Sequence, residues 1–183
     1  MRLALVSIVL LGALSCSDSA APETLSSVGF TYTGAGGGNF SVSGDAVTPP
    51  PPTGTSWAAG IVQAGETHVG ASNPRSGVLV DLAILRLERT TPGSESIDPA
   101  CNIDGSNPCT GMDFYLNFNG NGDTGDFFCS MTSGTIALTE VSSSRAKGTF
   151  SGTGNCVAGS GGATSTFSVS NGVFDVALVA PPG

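Results

Sequence analysis

The chain has 183 residues and a formal charge of −8, with 14 Asp and Glu against 6 Lys and Arg. Its 27 glycines, 11 prolines and long runs of Ser and Thr, with only 11% charged residues, leave few of the Glu, Lys, Gln and Arg that favour helices. So acidic a surface repels phosphate backbones and anionic lipid alike, which argues against nucleic-acid binding and against membrane adhesion by charge alone.

Arg2 followed by the apolar run Leu3 to Leu14 has the form of a signal peptide, residues 1–15, and the run is too short to span a bilayer at about 20 residues. The segment Gly12-Ala13-Leu14-Ser15-Cys16 resembles the lipobox of bacterial lipoproteins, with Ala13 where that pattern usually has Leu. The resemblance implies that Cys16 becomes the first mature residue, carries lipid and holds the protein to a membrane. Ser17 after it resembles the pattern of lipoproteins sent to the outer membrane. The alternative is an ordinary secretory signal cut near Ala20-Ala21, giving a secreted or periplasmic protein.

Residues 16–27 read as a flexible Ser/Ala/Pro tether, and residues 28–183 as a single β-rich domain with room for one core. Val28, Phe30 and Tyr32 alternate with small or polar residues, and after Gly34 to Gly38 the pattern resumes at Phe40 and Val42, which predicts a hairpin. The four prolines within Val47 to Thr55 predict a Pro-rich loop at 47–55. Trp57 to Gln63 and Thr67 to Ala71 are short strand candidates, and the apolar run Gly77 to Arg89 predicts a strand buried on both faces. Pro92-Gly93 marks a turn.

Met112 to Phe118 alternates cleanly, Asn119 to Asp126 reads as a turn, and Phe127 to Met131 as a strand. Gly134 to Val141 and Ala146 to Ser151 predict a hairpin about Ser142 to Ser144. Thr164 to Ser170 and Val173 to Val179, separated by Asn171-Gly172, predict a second hairpin with a tight turn. The expected fold is all-β, an antiparallel β-sandwich or barrel of about nine to ten strands containing disulfides.

With Cys16 assigned to lipid, Cys101, Cys109, Cys129 and Cys156 remain, an even set suited to disulfides in an exported protein. Cys101 and Cys109 enclose a polar turn-rich loop and are expected to pair, leaving Cys129 to pair with Cys156 across two strands. One histidine and no Cys-x-x-Cys pair speak against zinc.

Lys147-Gly148-Thr149-Phe150-Ser151-Gly152, followed by Phe167 to Val176, is similar to the closing "GTFS" and "VxNGxFDV" segments of a group of uncharacterised β-rich bacterial lipoproteins. Phe30 to Gly34 with Phe40 to Gly44 is similar to their opening segment. The resemblance implies fold and location, and no chemistry.

No Gly-x-Ser-x-Gly elbow occurs, His68 is the sole imidazole, and neither Gly34 to Gly38 nor Gly159 to Gly162 opens a helix as a phosphate loop must. With no catalytic or cofactor signature, the protein is expected not to be an enzyme. Asp113 with Asp126 is the carboxylate pair a glycoside hydrolase would need. Asn119, Asn121, Asp123 and Asp126 place hard oxygen ligands on a glycine-rich loop, as a weak Ca²⁺ site would, although Thr124 and Ser130 depart from an EF-hand. The expected function is that of a non-enzymatic envelope module that binds a protein or glycan partner or is structural. A lipocalin-like carrier of small apolar ligands and an envelope hydrolase are the alternatives.

Overall fold

The structure is a computed structural model and describes residues 25–45, 55–74, 80–101, 108–118, 126–159 and 162–181. The signal peptide, Cys16 and most of the tether lie outside the described residues, as do 46–54 of the Pro-rich loop. Among the described residues ten strands are formed: β1 (Leu25–Thr33), β2 (Gly38–Asp45), β3 (Trp57–Gln63), β4 (Glu66–Pro74), β5 (Val80–Leu87), β6 (Gly93–Ser96), β7 (Gly111–Phe118), β8 (Phe127–Val141), β9 (Arg145–Ala158) and β10 (Thr164–Ala177). They make one sheet in the order β2-β1-β10-β9-β8-β7-β5-β4-β3, with β6 pairing β8 beside β7.

All strand pairs in this order are antiparallel. The sheet curls until its ends nearly meet, so it is a barrel and not a pair of stacked sheets. Beyond β10, Leu178 forms a parallel bridge to Gly60 of β3, and the Val179 amide donates to the Gly60 carbonyl at 2.8 Å.

Alternation sends one face of each strand inward. Val28, Phe30 and Tyr32 from β1, Phe40 and Val42 from β2, Met112, Phe114 and Leu116 from β7, and Phe167, Val169, Phe174 and Val176 from β10 are all buried. Phe30 stacks on Phe40 with ring centroids 4.8 Å apart and meets Phe114 at 4.9 Å. Because β1 and β7 stand four places apart in the sheet, that second contact joins opposite walls, and the barrel interior is a packed core.

The structure alters three expectations about strand boundaries. Asn171-Gly172 does not turn the chain: β10 runs through it as one strand. Between Val169 and Gly172, β10 carries one residue more than β9 opposite, a β-bulge. Asn171 there has φ 53°, which Asn tolerates, and a Cβ on Gly172 would lie 2.4 Å from the Phe150 carbonyl. The same local chemistry that suits a type I′ turn therefore serves a bulge.

Likewise Phe127 to Met131 and Gly134 to Val141 fuse into β8 through an irregularity between Met131 and Ser133. The turn at Pro92-Gly93 leads into β6, a short strand not expected from its polar sequence. The first described strand starts at Leu25, three residues before Val28.

Both disulfides pair as expected, Cys101 with Cys109 and Cys129 with Cys156. Cys129 and Cys156 face each other directly in the β8–β9 register and are fully buried.

Candidate functional site

The outer face of β3, β4 and β5 carries the most elaborate polar group among the described residues. Thr67, Val69 and Ala71 of β4 point into the core, which turns Glu66, His68 and Gly70 outward, and the register sets His68 opposite Arg86 of β5. Arg86 grips the Glu66 carboxylate with both ends of its guanidinium, Nε to Oε1 and Nη2 to Oε2, each at 2.9 Å. The Cys109 amide donates to the same Oε1 at 3.0 Å, and His68 Nε2 lies 3.3 Å from Oε2. Glu66 and Arg86 are both buried although they are on the outside of the barrel.

Burial works to raise the Glu66 pKa, but the Arg86 and Cys109 hydrogen bonds and the Arg86 charge prevail and hold it below its ordinary 4.5. Burial, with a smaller push from Arg86, lowers the His68 pKa against the pull of Glu66. The described hydrogen-bond partner of the His68 imidazole is a carboxylate and not a hydroxyl. This group ties strands to the small disulfide loop.

Beside it, Trp57, Ile61, His68, Gly70 and Ile84 line an apolar hollow of ≈ 210 Å³. Further along the same face Ser130 Oγ donates a short hydrogen bond to Asp113. Burial raises the Asp113 pKa, against that bond, and raises that of Tyr115, with Asp113's charge adding to it. Asp113 pairs with Ser130, so Asp126 lies four residues further along β8, a backbone separation of roughly 14 Å. No hydrogen bond joins the two carboxyls among the described residues.

Of the four oxygen ligands proposed for Ca²⁺, Asn119, Asn121 and Asp123 lie outside the described residues. Asp126 is 95% buried, its relative exposure being 5%. Its Oδ2 has no hydrogen-bond partner among the described residues. A buried carboxylate oxygen without a partner is costly unless something satisfies it. No family model, no curated protein and no solved structure matches the chain.

The remaining hollows lie elsewhere on the surface. One of ≈ 500 Å³ at the rim, lined by Val62, Val141, Ser142 and Leu178 among others, holds no titratable group. Another of ≈ 360 Å³ opens on the outer face over the β10 bulge, between Thr135, Thr149, Ser151, Asn171 and Val173.

Neither the Glu66–Arg86 tie nor this bulge groove is foreseen from the sequence. Arg86 between Leu85 and Leu87 was the available signal for the first, because a guanidinium in an apolar strand needs a partner. No local signal distinguishes the bulge from a turn.

Proposed function

We propose that the protein is an exported, lipid-anchored envelope protein, held at the outer membrane through Cys16, and acts as a non-enzymatic β module for binding or structural contact. The observation that carries the binding part is the contact between Phe30 and Phe114 across the barrel. A carrier of the lipocalin kind keeps its ligand in the barrel mouth, whereas this core is filled, so partners are met on the outer faces and rims. Two disulfides suit an oxidising compartment. The tether joins β1 at Leu25, whose carbonyl accepts from Arg145 Nη2 at 3.2 Å, on the rim that carries the β8–β9 turn.

In a Gram-negative host fed a fatty-acid probe, the wild type is expected to take up label and fractionate with the outer membrane. Cys16→Ala should lose both properties, and an unlabelled, soluble wild type would overturn the anchor.

Asp126 favours a second reading, a weak Ca²⁺ site formed with Asn119, Asn121 and Asp123. Its orphaned buried Oδ2 is what a cation would satisfy. With few charged ligands, binding at about 10⁻⁴ to 10⁻³ M is expected, so millimolar Ca²⁺ should raise the melting temperature. Asp123→Asn should remove that rise and leave the melting temperature without Ca²⁺ nearly unchanged. No Ca²⁺ shift in the wild type would reduce the loop to a turn.

A further inference from the structure

We infer that the groove over the β10 bulge is a binding site for a neutral carbohydrate chain, a proposal that rests on the reading of the protein as a binding module and names its ligand class.

The outer face of β8, β9, β10, β1 and β2 is unlike the rest of this acidic chain. Its charged residues gather at one end and pair with each other, Arg145 with Asp175 and Lys147 with Glu140. Above them the described outward side chains are uncharged, and most are Ser or Thr. Several of these hydroxyls are already engaged: Ser133 bonds Thr153 at 2.8 Å, and Thr31 bonds Asn39 at 2.9 Å.

The groove is where they are not. Thr135, Thr149, Ser151 and Asn171 are all exposed, and their side chains take part in none of the hydrogen bonds among the described residues.

Geometry sets these groups in a row. Thr135 of β8 faces Ser151 of β9 directly, and Ser151 in turn faces the stretch of β10 that holds the extra residue, with Asn171 in it. Across three strands the row spans roughly 10 Å, a length suited to two sugar rings. The bulge re-aims Asn171 and opens the hollow, and Val173 beside it is 53% exposed, giving an apolar surface.

Hydroxyls that both donate and accept, an amide that does the same and one apolar patch match the mixed hydroxyl and C–H surface of a sugar. The absence of charge among the lining residues, in a chain of net charge −8, disfavours an acidic ligand.

The test uses the full chain purified in a detergent without a sugar head group, titrated by calorimetry and NMR with cellohexaose, maltohexaose and laminarihexaose, and with hexagalacturonate as the acidic counterpart. At least one neutral hexamer is expected to bind at about millimolar strength, and hexagalacturonate not to. Thr135→Val with Thr149→Val should weaken that binding at least about tenfold without lowering the melting temperature, since both are exposed strand positions where Val fits. Ser133→Ala with Thr153→Val, outside the groove, should leave it unchanged.

Failure of all three neutral hexamers at about 10 mM, equal binding of hexagalacturonate, or unchanged binding by the Thr135/Thr149 variant would overturn the proposal. Fatty-acid labelling of Cys16 is read separately, so loss of the glycan site leaves the anchored-module reading standing.

Discussion

Arg86→Ala is expected to destabilise the protein by about 3 to 5 kcal/mol, the cost of leaving a buried carboxylate charged and alone. Among the described residues Glu66 would keep the Cys109 amide and His68 as partners. Urea unfolding at pH 7 measures the loss, and the double variant Glu66→Leu with Arg86→Ala should recover much of it, since no unpaired charge is then buried.

Acid gives a second readout with a definite sign. In the wild type the Glu66 pKa lies below 4.5, so its contribution is present above that value and is lost as pH falls through the folded pKa. His68, also lowered, gives the same sense of change from 6.5 downward. Without Arg86 the burial of Glu66 prevails and its pKa rises, so this group's contribution should reverse and acidification from neutral pH should first restore stability. An Arg86→Ala variant whose stability falls on first acidification from neutral pH as steeply as that of the wild type would refute the assignment.

Replacing Cys129 and Cys156 together by Ala should cost about 3 to 4 kcal/mol, from the loop of sequence separation 27 that the bond closes in the unfolded chain. Replacing Cys101 and Cys109, with a separation of 8, should cost less on the same account, about 2 to 3 kcal/mol. The comparison is made by calorimetry under non-reducing conditions, where the first variant should melt roughly 10 °C lower than the wild type. The small loop has a further part to play, because Cys109 also lends its amide to Glu66. If its removal proves the more damaging, the tie on the outer face counts for more than loop closure.

Alternation was enough to read the opening hairpin, because β1 hides one face and shows the other, and period two then dominates the pattern. Disulfide pairing was legible for another reason: Cys101 and Cys109 enclose a short polar loop, which left Cys129 for Cys156, and the structure sets these two on inward positions of adjacent strands. What the sequence could not disclose was continuity. In β10 the inward positions run Phe167, Val169 and then Phe174, Val176, so parity changes across Asn171-Gly172. A turn and a one-residue bulge both change parity, and only pairing with β1 and β9 on either side of the break decides between them.

Site legibility failed in the same way. Glu66, Arg86 and Cys109 are brought together across separations of up to 43 residues, and the groove takes its residues from three strands.

The position of β10 governs when this molecule can fold. The last strand of the chain lies between β9 and the first strand, β1, and its continuation meets β3. Until Thr164 to Ala177 is available, β1 and β2 have no hydrogen-bonded strand beside them but each other, and such a hairpin is marginal alone. A chain threaded from its N-terminus through a membrane would therefore hold β1 and β2 unsatisfied during the whole passage and close only after its C-terminal end emerges. Such non-local pairing makes for slow acquisition of structure and a long interval with open strand edges. On the reading of the protein as exported, its passage should accordingly depend on factors that shield unfolded chains, and a stop codon before Thr164 should yield an aggregate or a degraded product in place of a smaller barrel.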